Sequence, residues 1–278
     1  MKLRLLAPRE RSSVLECLAR DPRPNLQLMD MAAGVGEMHP LGEGSPQVLV
    51  AWEGGKVVGV AGLRPSLVLD SRFDSRIIDL LVPHVASIES GLIKSPESVV
   101  TPFWERLASQ GREALIDRSE TGYLVTAGDL ADVKPPARAR LRPAQRSDLD
   151  ALVYAASSSL RAEGRPDPSE SDPAGFRRWV RGRLRRARVI ECKGSVVFVG
   201  YADVRRSEGW LIQGVFTWPE VRRRGLAAAG MYGLALEAFD QGAEHVQLAV
   251  VDGNEAALGL YRGLGFRPFA ELRTILFT

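Results

Sequence analysis

Apolar positions in residues 139–278 recur with two different periods. Leu149, Leu152, Val153, Ala156 and Leu160 repeat at helical spacing, behind a helix start at Ser147-x-x-Asp150 with Asp in place of the usual Glu or Gln. Asp172-Pro173 reads as an N-cap followed by proline at the first helical position. The helix it opens should bury Phe176, Trp179, Val180 and Leu184. Arg177, Arg178, Arg181, Arg185 and Arg186 would then form a solvated face. Strand-like runs follow at 189–193 and 196–204, a hairpin turning at Gly194-Ser195, and at 210–217. A long apolar helix over 226–239, a strand over 245–251, a helix over 254–264 and closing strands in 267–277 complete the pattern. With a short strand at 139–141, the order is β-α-α-β-β-β-α-β-α-β. That order predicts an α/β fold with a mixed sheet and helices on both faces.

The first half echoes this order. A strand at 3–6 precedes helices at 11–19 and 25–33. Strands 48–52 and 57–63 form a hairpin through Gly54-Gly55. A helix at 77–85, a strand at 91–94, a helix at 96–109 and a strand at 122–126 follow. Between the halves, Asp132-Val133-Lys134-Pro135-Pro136-Ala137-Arg138 reads as an extended, semi-rigid linker. The expected division is therefore 1–131, linker 132–138, and 139–278.

A length of 278 residues suffices for two domains. No apolar run reaches membrane-spanning length. Met1-Lys2-Leu3-Arg4-Leu5-Leu6 turns polar too soon for a signal peptide. Cys17 and Cys192 lack metal or redox spacing and read as small buried hydrophobes. His39, His84 and His245 are scattered and form no ligand cluster. The expectation is a cytoplasmic protein with no disulfide, no metal and no membrane partner. Charge is uneven. Residues 1–138 hold 16 Lys/Arg against 18 Asp/Glu, and residues 139–278 hold 21 against 16. Nucleic acid is one partner for a basic half, but no nucleic-acid motif accompanies it, so none is expected.

The basic half contains Trp218-Pro219-Glu220-Val221-Arg222-Arg223-Arg224-Gly225-Leu226-Ala227 between a strand and a helix. The first turn of a helix has unpaired N–H groups and partial positive charge. A glycine there admits a ligand close to the backbone, so a pyrophosphate fits. Arg222-x-x-Gly225-x-Ala227 resembles the coenzyme A pyrophosphate loop of the GNAT N-acetyltransferases. Asn254-x-x-Ala257-x-x-Leu260-Tyr261-x-x-x-Gly265-Phe266 resembles the other half of that family's signature. The 29-residue step from Gly225 to Asn254 accommodates one helix, one loop and one strand.

The resemblance implies tandem GNAT-like folds, with a catalytic domain at 139–278. It implies acetyl-CoA as acyl donor and a primary amine as acceptor, either a small molecule or a protein N-terminus or lysine. Pantetheine would pair with the fourth strand, against the backbone of Val215, Phe216 and Thr217. A backbone N–H there would stabilise the oxyanion. Pyrophosphate would sit on N–H groups from Arg222 through Arg223, Arg224, Gly225 and Leu226 to Ala227. Tyr261 falls at the family's general-acid position, and a phenol near ~10 suits a thiol near ~8.5. Asn254 would contact the cofactor while serving as an N-cap. No carboxylate lies on 211–214 or 248–251. The base is left to Glu208, Asp252, a water chain ending on Gln213, or an acceptor that arrives neutral. In the first half, Lys94-Ser95-Pro96-Glu97-Ser98 stands where the phosphate loop would be, so that half reads as a degenerate repeat or an unrelated α/β domain. A non-catalytic acyl-CoA sensor, an aminoacyl transferase and a protein-modifying transferase are the alternative functions. A homodimer stays open as an assembly.

Overall fold

The computed structural model describes residues 1–37, 45–136 and 139–278; His39 and the linker residues Ala137 and Arg138 lie outside the described residues. The chain divides into two compact units. The first holds Met1–Gly122, Ala249–Gly253 and Pro268–Thr278, and the second holds Tyr123–Leu248 and Asn254–Arg267. The units therefore exchange segments across the linker instead of parting there.

The first unit begins with β1 (Lys2–Leu5), α1 (Arg11–Leu18), α2 (Pro22–Ala33), β2 (Gln47–Glu53), β3 (Lys56–Arg64) and β4 (Val68–Leu69). It continues with α3 (Ser75–Val85), β5 (Gly91–Pro96), α4 (Glu97–Ala108) and β6 (Ala114–Val125). α2 starts three residues earlier than its apolar pattern because proline stands at its N-terminus, where no N–H partner is needed. β4 is only two residues long, too short to show a period. Counting it, the first half also runs β-α-α-β-β-β-α-β-α-β. β1 to β4 are sequential antiparallel neighbours.

The second unit contains β7 (Leu141–Pro143), α5 (Leu149–Ala162), α6 (Pro168–Ser171), α7 (Pro173–Gly182), β8 (Ala187–Cys192) and β9 (Ser195–Arg206). β10 (Gly209–Thr217), α8 (Leu226–Asp240), β11 (Val246–Val251), α9 (Glu255–Gly263) and β12 (Arg267–Phe277) follow. The closing segment is one strand, and it pairs antiparallel with β5 from Leu272–Pro96 to Phe277–Gly91. Its Ile275 and Phe277 are fully buried beside Phe103 and Leu107, which explains why residues 268–278 group with the first unit.

The sheet of the second unit is mixed: β7 to β10 run antiparallel, and β10 pairs with β11 in parallel. The β8–β9 hairpin turns at Lys193-Gly194, one residue before the expected pair. Both residues have left-handed φ, 54° and 80°, as a two-residue turn of this twist demands. Asp172 caps α7 by accepting the Gly175 N–H at 2.8 Å. Leu152, Phe176 and Val180 pack against Val189, Val199, Tyr201 and Phe216 on one sheet face. Trp179 departs from expectation: it is 37% exposed. Leu184 lies beyond α7 in a 3-10 turn and is half-buried. Phe198 and Gly200 point to the other face, where α8 lies. Gly230 leaves no room for a Cβ against the Phe198 ring, and Leu234 reaches the Gly200 backbone. Among the described residues, no helix is long and apolar enough to cross a membrane.

Candidate active site

β10 leaves the regular sheet after its first residues. Its ladder to β11 holds Trp210–Val246 and Leu211–Gln247, yet the strand runs on to Thr217. Residues 212–217 thus carry backbone groups on that side outside the ladder. On the other side, Gln213 faces Tyr201 and Phe216 faces Val199, so Gly214 and Val215 stand together opposite Gly200. This is a β-bulge, and Gly214 supplies its left-handed φ of 58°. Val215 and Thr217 are half-buried and Phe216 is buried. Tyr154 stacks on Trp218 at 6.0 Å, and Phe216 meets Trp218 edge-on at 5.2 Å.

The arginine loop follows. After a 3-10 turn at Pro219–Val221, Arg223 takes a φ of 62° and Gly225 one of 75°. Gly225 is the N-cap of α8, and no side chain caps that helix. Its first-turn N–H groups therefore lack intrahelical acceptors, and alternating backbone hands make such a run concave toward an anion. The three arginines differ in use. The Arg222 N–H donates to the Pro219 carbonyl at 3.3 Å, and its Nε donates to the Thr217 carbonyl at 3.0 Å. Arg222 is thus a clasp on the end of β10, and its N–H is unavailable to a phosphate. The Arg223 and Arg224 side chains are exposed and join no ion pair among the described residues.

Each part of the second motif has a local cause. Asn254 accepts the Ala257 N–H at 3.2 Å as N-cap of α9. The helix ends with Phe266 N–H on the Tyr261 carbonyl and Gly265 N–H on the Arg262 carbonyl, both at 3.0 Å, a paired C-terminal cap that needs a left-handed residue. Gly265 provides it, with φ 90°, and a Cβ there would overlap the Asp129 carbonyl oxygen. Tyr261 is buried, and burial pushes its phenol well above the ordinary tyrosine range. The expectation of an ordinary phenol is corrected: the proton is held tightly.

Of the base candidates, Glu208 is paired with Arg206 at 2.9 Å. Asp252 accepts the Thr121 hydroxyl at 3.2 Å within the first unit. Three residues absent from the sequence reading gather beside the bulge instead. Arg183 pairs with Asp203 and lies 4.1 Å over the Tyr201 ring. Burial raises the Tyr201 phenol to about 12, against the pull of Arg183, and its hydroxyl has no partner among the described residues. The strand period placing Val199 and Tyr201 on one face, and the helical i, i+4 spacing of Trp179 and Arg183, are the signals that point there. No metal-holding group of His, Cys, Asp or Glu occurs among the described residues.

Residues 152–266 match the model of the acetyltransferase (GNAT) family. These residues form a GNAT acetyltransferase domain. No curated protein sequence matches the chain. Solved structures resemble it along its whole length. A Drosophila protein has a TM-score of 0.73 at 13% identity, covering 99% of this chain and 98% of its own. A GCN5-related N-acetyltransferase from Sphaerobacter thermophilus gives 0.60 at 17% identity, with 99% and 94% covered. A tandem GNAT protein from the clavulanic acid biosynthesis pathway gives 0.54 at 14% identity, with 99% and 97% covered. The fold is thus that of tandem GNAT proteins.

The GNAT order relocates the phosphate-loop position of the first half. The helix after the fourth strand is α3, not α4, so the equivalent loop is Asp70–Asp74 rather than Lys94–Ser98. Asp74 caps α3 by accepting the Ile77 N–H at 3.0 Å. That hydrogen bond, then Arg76, holds the Asp74 carboxyl below its usual range. Asp70 is fully buried and pairs with Arg72 at 2.9 Å. Carboxylates therefore occupy the helix end that a pyrophosphate would need. Lys94 sits in β5 and pairs with the buried Glu120 at 2.5 Å.

Proposed function

We propose that the second unit transfers an acetyl group from acetyl-CoA to a primary amine, and that the first unit is a non-catalytic GNAT-like partner. The observation that carries this reading is the uncapped N-terminus of α8, with left-handed Arg223 and Gly225, directly downstream of the bulged strand β10. The N–H groups at 225–227 and the side chains of Arg223 and Arg224 hold the pyrophosphate by charge-assisted bonds. The Nδ2 of the Asn254 cap, which donates to no group among the described residues, is a further cofactor contact. Pantetheine adds as a strand along residues 215–217.

The acyl carbonyl then meets the N–H of Val215, which stabilises the oxyanion as it forms. A neutral amine attacks the carbonyl carbon, and the C–S bond breaks. Tyr261 gives its proton to the departing thiolate, and the amine's proton leaves to water. A tightly held phenol proton suits this step when the thiolate forms in the same dry surroundings, because burial raises both proton affinities together.

Calorimetry with coenzyme A tests the reading. One site per chain is expected, lost in Gly225→Glu, which puts bulk and negative charge on the phosphates. Two equivalent sites, or undiminished binding by that variant, would overturn it. Thiol release with a panel of amines and peptide N-termini reports turnover. Binding without release from any acceptor would favour the sensor reading.

A further inference from the structure

Four residues of the second unit stack in series behind the β10 bulge. The Trp179 ring covers one side of the Arg183 guanidinium at 4.7 Å. The guanidinium also lies over the Tyr201 ring at 4.1 Å. Tyr201 Cδ2 is only 2.9 Å from where a Cβ on Gly214 would sit, so the ring touches the bulge backbone itself. Asp203, at a second register shift opposite Leu211 and Ile212, holds Arg183 by an ion pair. Only 13% of the Arg183 side chain and 12% of the Asp203 side chain are exposed, so water screens the pair little.

A bulge on a left-handed glycine is a soft element, because glycine is the residue least confined by its own side chain. Something else must fix which way the following N–H groups point. The ring of Tyr201 is the group in contact, and the Arg183–Asp203 pair and Trp179 keep that ring from moving. The Tyr201 hydroxyl has no partner among the described residues, so the ring does the holding.

We infer that Arg183 and Tyr201 are positioning residues: through Gly214 they aim the N–H of Val215 at the acyl carbonyl. This rests on the acyl-transfer reading above. Misplacing a reacting group by about 1 Å costs ~10²-fold in rate, so a loosened stack should slow turnover while leaving the distant phosphate contacts intact.

The test uses the full-length protein and the backbone amide signal of Val215, compared between coenzyme A and acetyl-CoA. In the wild type the two ligands should shift this signal differently, because only one carries the carbonyl. Tyr201→Phe should behave as wild type. Tyr201→Leu and Arg183→Met should keep coenzyme A affinity within about threefold, lose the acetyl-dependent difference, and lose ~10²-fold in kcat with little change in KM for acetyl-CoA. Arg183→Lys keeps the charge but not the flat stacking surface, so it should fall between and serves if Arg183→Met does not fold. A wild-type acetyl response retained in Tyr201→Leu and Arg183→Lys, with turnover intact, would overturn the stack alone. A wild type that binds no coenzyme A would overturn the acyl-transfer reading and the stack with it.

Discussion

The carbonyl of Tyr261 accepts the N–H of Phe266 at 3.0 Å, and the rings of the same two residues meet at 5.6 Å. The backbone bond closes α9 and the ring contact fixes the phenol, so the geometry of the proposed acid survives loss of its hydroxyl. Tyr261→Phe should lower kcat by ~10²–10⁴-fold and leave the Kd for coenzyme A unchanged. Steady-state rates with any productive amine, beside calorimetry, make the comparison. An unchanged kcat would remove Tyr261 from the chemistry.

Arg222 and Arg224 should separate cleanly, although they belong to one run. Arg222→Ala removes the clasp on the Thr217 carbonyl and should cost ~1 kcal/mol of stability. Arg224→Ala should leave the melting temperature in place, weaken coenzyme A binding several-fold and flatten its salt dependence. Melting curves and titrations at two ionic strengths distinguish the two roles. Equal effects from both substitutions would contradict this division.

Asp74→Ala should destabilise the protein by ~1 kcal/mol through loss of the α3 cap, with coenzyme A affinity unaltered. Because the folded carboxyl sits below its unfolded value of ~3.9, its contribution is present above that pH and is lost as pH falls through the lower folded value. Denaturant melts of wild type and variant should therefore converge in strong acid. A new coenzyme A site in Asp74→Ala would show that the carboxylate alone had closed the first unit to phosphates.

Alkali should act on Tyr201. Its phenol rises to about 12 on folding, from ~10 in the unfolded chain. The unfolded state thus releases its proton first, and stability declines as pH rises from about 10 toward 12. Tyr201→Phe should have a shallower decline over that window in chemical melts. Parallel curves for the two proteins would count against a buried phenol.

Much of this architecture was legible because helix and strand periods differ. Asp172-Pro173, the Gly225 loop and the Asn254 cap announced themselves by residue type, and each sits at the helix end it marked. β4 escaped because Val68-Leu69 carries no period, and missing it moved the first half's phosphate position by one helix. The spacing of Trp179 assigns it to the core, whereas the cation beside it lets the ring stay half-exposed. Arg183, Asp203 and Tyr201 were unreadable as a group, since their meeting depends on two register shifts in β9 and β10. The pairing of β12 with β5 joins residues more than 170 positions apart, beyond the reach of any local pattern.

That last pairing bears on how the chain is made. Residues 268–278 emerge from the ribosome only after the entire second unit, yet Ile275 and Phe277 complete the core around Phe103 and Trp104. The last segment of the second unit ends at Arg267, before the last segment of the first begins at Pro268. Chains interrupted before Ile275 would lack two side chains that this core buries completely. The first unit's core is thus the last part of these two units to receive all of its side chains.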